Sequence, residues 1–451
     1  MKSIVIASNC SGGGKTTVTL GIMKALKNRG FKVQGYKVGP DYLDTAFHTK
    51  ITGCDSRNLD LYLMGEAGVK ASFSRGDGDL GVVEGVMGLY DGKGIDTSCS
   101  TYHISKVLDL PIILVISPRA QVATLCAEIN GIVDFKDANI KGIILNNITE
   151  GYYNLLKAAI NENCNLKVLG YLPSEERLDL KSRHLGLIQS SEVEDLEDKI
   201  EICAQLLEKH LDMDLLLEAF KESEKYVDKF HVENKGKRIA VAYDKAFSFY
   251  YKENLELLEE LGEVIYFSPI EDRSLPSNID FLYLGGGYPE VFIKELSKNT
   301  SMLDSIKNAL NNGLRCYAEC GGLMYLTRGE KPLGENPQAE KLGEIDQISY
   351  NAVGFFEGYY TLTKTLQNFG YAEIEVEVEN SILPQNMSIN CHEFHKSTVE
   401  LAEEKVLKLS KQVYAGNQKN WKCGYVLKNT LAAYAHVHFF GNLEWFREIF
   451  K

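Results

Sequence analysis

At 451 residues, with 44% hydrophobic and 25% charged side chains, the chain has the composition of an ordinary globular protein with room for two or three domains. Its formal net charge of -13 argues against nucleic-acid binding driven by phosphate contacts, and any anionic substrate must be met by a local basic or amide-lined site. The ten cysteines are scattered, several in apolar strand-like settings, which speaks against a disulfide framework and for a reducing compartment. No charged-then-apolar leader precedes the first strand and no apolar run reaches membrane-spanning length, so a cytoplasmic protein without a membrane partner is expected.

Residues 3–8 form a strand-sized apolar run. Asn9-Cys10-Ser11-Gly12-Gly13-Gly14-Lys15-Thr16-Thr17 follows at once, and an amphipathic helix is predicted over 18–28. Strand, glycine loop and helix in this order make a P-loop, in which free amides and a helix N-terminus cradle phosphates. Gly12, Gly13, Gly14, Lys15, Thr16 and Thr17 are therefore the predicted nucleotide-binding residues. Lys15 reaches the outer phosphates of ATP, and Thr16 places its hydroxyl on Mg²⁺. The first glycine of the G-x-x-x-x-G-K-[ST] pattern falls on Asn9.

A second strand is predicted over 32–38, with Gly39-Pro40-Asp41-Tyr42-Leu43-Asp44 as the loop at its C-terminal end, beside the P-loop. The neighbouring His48 reads as a packing residue. Residues 79–88 read as an apolar strand that ends in Glu84 and then glycines, an arrangement that offers a carboxylate to Mg²⁺ or to a reacting phosphate. Strands over 111–116, 141–147 and 168–173, separated by helix-length periodic segments, predict a doubly wound parallel sheet. Residues 192–232 read as helical and strongly charged. A polar linker over 233–237 puts a domain boundary near 235, giving domains 1–234 and 235–451.

The second half repeats the α/β alternation: strands over 238–242, 263–267 and 281–284, with a helix over 253–261. Gly285-Gly286-Gly287-Tyr288-Pro289-Glu290 then supplies bare amides at a strand end. A short buried strand over 314–318 runs into Glu319-Cys320-Gly321-Gly322 and a helix start at 323–326. A cysteine on such a turn is lifted out of the sheet toward a helix N-terminus, which favours thiolate. The glycines bring amides close to the sulfur, as an oxyanion hole requires. His436, in a strand-like run over 432–440, could take the thiol proton and return it to a leaving amine. Cys391-His392-Glu393-Phe394-His395 invites a zinc reading, but on a regular strand His392 and His395 face opposite sides and cannot share one ion.

At these residues the chain resembles a known family. A-E-C-G-G-L-M-Y-L, the earlier L-G-G-G-Y-P-E and the late A-Y-x-H-x-H-F are similar to the glutamine amidotransferase domain of the cobyrinate a,c-diamide synthase and cobyric acid synthase family. The P-loop resembles the variant found in dethiobiotin synthetase and the diamide synthases. V-G-P-D-Y-L-D, V-V-E-G-V-M-G-L-Y-D-G, R-H-L-G-L and the C-H-E-F-H string, which reads as lining the seam between domains, have counterparts in the same family.

The resemblance implies a dethiobiotin synthetase-like P-loop domain joined to a class I glutaminase domain. It implies Cys320 as nucleophile with His436 as its base, and an oxyanion hole from Gly286, Gly287 and Gly321. It also implies substrate contacts from Asp41, Tyr42 and Leu43, and Thr16, Asp41 and Glu84 around the metal, with Glu84 catalytic. Related glutaminases carry a glutamate two residues after the histidine; here His438 stands there and leaves the third triad member open. Asn146-Asn147 resembles a base-reading position, and Arg183 is either a substrate contact or part of a surface loop.

A P-loop that activates a group with ATP, joined to a glutaminase, describes an amidating ligase. A carboxylate is phosphorylated to an acyl phosphate, and ammonia passed between the domains displaces the phosphate. The resemblance implies L-glutamine as donor and the a and c carboxylates of cobyrinate as acceptors, in anaerobic cobalamin synthesis, with a homodimer allowed. Hydrogenobyrinate, nickel-sirohydrochlorin or a cell-wall precursor as acceptor stay open. So do a P-loop regulatory ATPase with an inactive glutaminase domain, and a protein that only carries a tetrapyrrole.

Overall fold

The computed structural model describes residues 1–178, 190–331, 350–413 and 416–451. The segment containing Arg183 lies outside them. The chain divides into two compact units, Met1–Leu61 with Gly65–Lys229, and Tyr62–Met64 with Phe230–Lys451.

In the first unit the order is β1 (Lys2–Ser8), α1 (Lys15–Asn28), β2 (Val33–Val38), α2 (Tyr42–Thr52), β3 (Arg57–Leu59), α3 (Leu61–Ser74, broken at Gly65), β4 (Leu80–Glu84) and α4 (Thr101–Val107). It continues through β5 (Ile112–Ile116), α5 (Ala123–Phe135), β6 (Ile140–Ile148), α6 (Glu150–Asn163), β7 (Val168–Pro173), α7 (Ser190–His210), α8 (Met213–Ala219) and β8 (Lys221–Glu222). The seven long strands pair in parallel in the order β3-β2-β4-β1-β5-β6-β7. β4 and β5 are buried along their whole length, which is why they read as unbroken apolar runs.

The order reverses around β1, and ligands gather at the carboxyl ends of strands at such a switch point. The core beneath is built from Ile4, Ile6, Val82, Ile113 and Ile144, with Val18, Leu20 and Ile22 from α1. α7 lies close against α1: a Cβ on Gly21 would stand 2.5 Å from the Cys203 sulfur. The helical reading of 192–232 extends too far. Helix ends at Ala219, because Lys221 and Glu222 leave it to pair antiparallel with Ser3 and Lys2.

The second unit begins with β9 (Lys237–Ala242), β10 (Phe247–Phe249), α9 (Lys252–Leu261), β11 (Gly262–Phe267), β12 (Phe281–Leu284), β13 (Gly286–Gly287), α10 (Ile293–Lys298), α11 (Thr300–Asn311), β14 (Arg315–Glu319) and α12 (Gly321–Leu326). It closes with β15 (Gly358–Val376), β16 (Ser388–Leu401), β17 (Lys405–Gln412), β18 (Gln418–Leu427), β19 (Thr430–Ala433), β20 (His436–Val437) and α13 (Leu443–Ile449).

β11, β9, β12, β14 and β19 are parallel neighbours, and β15 to β18 extend the sheet with antiparallel strands that the sequence reading did not anticipate. Their alternation is plain once seen. Ala372, Ile374 and Val376 are buried while Glu373 and Glu375 are exposed. Among the described residues, no helix is long and apolar enough to cross a membrane.

Candidate active sites

In the first unit the sequence places a glycine loop between β1 and α1. Gly12 and Gly14 hold φ of +75° and +83°, a region that a side chain would strain. The loop is also packed too closely for one. A Cβ on Gly13 would stand 2.2 Å from Ser8 Oγ, and one on Gly14 would stand 1.9 Å from Asn146 Nδ2. Asn146, expected near a base, donates to the Gly13 carbonyl at 3.2 Å and so holds the loop. α1 starts at Lys15 rather than at 18. It has no side-chain cap and no acid in its first turn, where Thr16 and Thr17 lie, so its amide end keeps its attraction for anions. Lys15 folds back on the carbonyls of Cys10 and Met87. Burial, aided by Lys37, lowers its pKa.

Parallel register sets Glu84 beside Ile6 of β1 and Lys37 of β2. Glu84 is fully buried. Its Oε1 accepts from Thr16 Oγ1 at 2.6 Å and Lys37 Nζ at 3.0 Å, and its Oε2 lies 2.7 Å from His48 Nε2. Lys37 also pairs with Asp44 at 2.8 Å. Burial alone would push the Glu84 carboxyl up, but Lys37, His48 and Thr16 outweigh it and hold it well below the usual carboxylate range. Burial lowers Lys37 in turn, and Glu84 and Asp44 more than restore it.

His48, set aside as a packing residue, is thus a partner of Glu84, fixed from its other side by Ser56 at 3.1 Å. Lys37 went unnoticed because a lysine inside an apolar strand pattern gives no periodic signal. Tyr42 and Leu43 lie in the first turn of α2 rather than in a loop. Asp41 caps that helix, accepting from the amides of Leu43 and Asp44 at 2.8 and 3.2 Å. Burial, with Asp44 nearby, raises the Asp41 pKa.

In the second unit three adjacent strand ends converge. β14 pairs with β12 through Ala318 and Leu284, and with β19 through Glu319 and Ala433. Gly285–Gly287, Cys320 and the run to His436 therefore leave the sheet at one edge. Cys320 has φ 47° and ψ -99°, a strained conformation for a non-glycine residue. It is fixed by its amide donating to the Ala433 carbonyl at 2.7 Å and by the Met324 amide donating to its own carbonyl at 3.1 Å.

The glycines around it permit close contact. A Cβ on Gly322 would stand 2.3 Å from the Leu284 carbonyl oxygen, and one on Gly321 3.1 Å from the Gly287 amide nitrogen. A Cβ on Gly286 would stand 2.4 Å from His436 Cε1, so the Gly286 and Gly287 loop touches both the nucleophile turn and the histidine.

The buried setting works against the expected thiolate. Burial pushes the Cys320 thiol well above its usual range, Glu290 and Glu393 push it further, and the Gly321 amide opposes them only weakly. α12, with six residues, is too short for its dipole to reverse this. A thiol in this setting needs a base before it can act as a nucleophile.

His438 does not orient that base. It is buried 3.3 Å from Glu253 Oε2 and accepts from the Phe440 amide. The carboxylate near His436 is Glu319, with Oε2 3.7 Å from His436 Nδ1. Glu319 also accepts from Tyr283 Oη at 3.2 Å and the Val437 amide at 3.4 Å. Spacing after the histidine could not reveal it, because it precedes the cysteine. His392 stacks on His436 with ring centroids 4.9 Å apart, whereas His395 stacks on Tyr434. The two histidines therefore have different surroundings.

Known proteins agree with these two halves. Residues 4–188 match the family model described as a CobQ/CobB/MinD/ParA nucleotide binding domain, and residues 238–443 that of a CobB/CobQ-like glutamine amidotransferase domain. The chain is 64% identical over 451 residues to a cobyrinate a,c-diamide synthase of Clostridium tetani, covering 100% of each chain. It is 60% identical to that of Clostridium acetobutylicum, again over 100% of each. A Listeria innocua cobyrinate a,c-diamide synthase is 43% identical over 98% of this chain and 97% of its own. The chain belongs to the cobyrinate a,c-diamide synthase family and is an ATP-dependent ligase that takes its nitrogen from glutamine.

Proposed function

We propose that the protein amidates the a and c carboxylates of cobyrinate. The full-length identity of 64% to a relative bearing that name carries this reading, with both catalytic halves in place. An acceptor carboxylate oxygen attacks the γ-phosphorus of ATP, ADP leaves, and ammonia displaces phosphate from the acyl phosphate. Gly12 to Thr17 hold the phosphates on loop amides and the α1 N-terminus, and Lys15 turns from the loop carbonyls to the outer phosphates. Asp41, Tyr42 and Leu43 contact the acceptor.

The donors Thr16, Asp41 and Glu84 are hard oxygens, as Mg²⁺ requires. Thr16 Oγ1 and Glu84 Oε1 are 2.6 Å apart. Adjacent oxygens on one octahedral ion stand about 2.9 Å apart, so the pair fits with a small shift. When bound, the ion neutralises charge on the phosphoryl oxygens. Lys37 and His48 keep Glu84 ionised for that task.

At the other site His436 takes the Cys320 proton as sulfur attacks the glutamine amide carbon. Amides of Gly321 and the Gly286–Gly287 loop face the developing oxyanion, and His436 returns the proton as ammonia leaves. Water then hydrolyses the thioester to glutamate. All ten cysteines are free, in keeping with work in the reducing cytoplasm.

The test is tetrapyrrole product mass after incubation with cobyrinate, ATP, Mg²⁺ and glutamine. A gain of two amides supports the reading, and an unchanged mass while ATP and glutamine are consumed refutes the acceptor.

A further inference from the structure

The Gly285–Gly287 loop runs through Tyr288 and Pro289 to Glu290. Pro289 packs on the nucleophile turn, its Cδ 2.9 Å from where a Cβ on Gly321 would stand. The Oε2 atom of Glu290 is buried and has no hydrogen-bond partner among the described residues. The hydroxyl of Tyr360, on β15, is likewise buried without a partner, and it lies within the field of Glu290.

Two orphaned polar groups within electrostatic reach of each other are costly for a folded protein and suit a polar ligand that arrives later. The sign of the charge narrows the choice. Of the charged side chains, Glu290 is the one that most opposes ionisation of Cys320. It therefore does nothing for the nucleophile by itself, and its place on the loop that packs against the cysteine turn is explained if a cation comes with the substrate. Burial pushes its pKa up to about 7, so near neutrality it readily loses its proton to solvent when a positive charge binds beside it.

Glutamine carries one cationic group, the α-ammonium. In the extended molecule it stands roughly 5 Å from the amide carbon that Cys320 attacks. We infer that the Glu290 carboxylate receives the α-ammonium of glutamine and so sets donor specificity at the Cys320 site. Tyr360 offers a hydroxyl to the same amino-acid head. The inference rests on the glutaminase reading of that site.

The test compares glutamine with 4-carbamoylbutanoate, the same molecule without its amino group, by ammonia release from the full-length protein with ATP and Mg²⁺. Wild type should prefer glutamine in kcat/KM by about 10- to 100-fold, the worth of a charge-assisted hydrogen bond. In Glu290→Gln the preference should fall to within about 3-fold through loss on glutamine, while the rate on 4-carbamoylbutanoate does not fall. That rate also reports whether the variant is folded, and Glu290→Asp should regain part of the preference. A preference retained in Glu290→Gln overturns the inference, as does an equal loss on both donors. Ammonia release from neither donor by wild type would overturn the glutaminase reading, and the inference with it.

Discussion

His436 Nδ1 lies 3.7 Å from Oε2 of Glu319, the residue immediately before Cys320 in the chain. The proposed nucleophile and the carboxylate beside its proposed base thus sit on adjacent residues, Glu319 at the end of β14 and Cys320 in the turn that follows. Glu319→Gln keeps the shape but offers His436 a neutral partner. The expected result is a loss of glutamine-dependent amidation of about 100-fold, with ammonium-dependent amidation within about 2-fold of wild type. Steady-state rates with the two donors check it.

Lys37 should matter for stability as much as for chemistry. Glu84 is held below its ordinary 4.5, so the cluster adds stability above that pH, and the contribution is lost as pH falls further through the folded-state value. Lys37→Met strips the buried carboxylate of its nearest cation. The expected cost is about 3 kcal/mol at pH 7.5, narrowing below pH 4.5, read as urea midpoints across pH.

Gly14→Ala puts a methyl group into Asn146 at a backbone φ of +83°. Nucleotide affinity should fall at least about 10-fold, measured by titration with a fluorescent ATP analogue. Gly30, at φ +91° with open space around it, is the control: its alanine variant should bind nucleotide normally.

Glu290 makes an opposite pH statement. Its carboxyl rises from an ordinary 4.5 to about 7 on folding, so the folded state loses stability as pH rises between those values. Glu290→Gln removes that loss. The variant should melt at a higher temperature than wild type at pH 8.5, by the equivalent of about 2 kcal/mol, and the gap should narrow at pH 5.5. Calorimetry without substrates checks it.

The sequence showed the parallel strands because burial on both faces writes continuous apolar runs, as in Ile112–Ile116. It showed the P-loop and the cysteine turn because each needs glycines at positions that a side chain would block. What it hid depends on partners distant in sequence. Lys37 and His48 meet only at Glu84, and Glu319 meets His436 across 117 positions. The antiparallel strands β15 and β16 were hidden for another reason. Their alternation is interrupted by register shifts between Leu362 and Gly370, so no single period runs their length. The helix reading past Ala219 failed because charge and helix propensity persisted while pairing with β1 took over the backbone.

The most direct test of a ligase fed by its own glutaminase is the product mass from cobyrinate with Cys320→Ala. With ATP and Mg²⁺, the variant should yield no amide from glutamine and the diamide from ammonium, while wild type yields the diamide from both. A variant that still forms the diamide from glutamine, or a wild type that uses neither nitrogen source, would contradict the account.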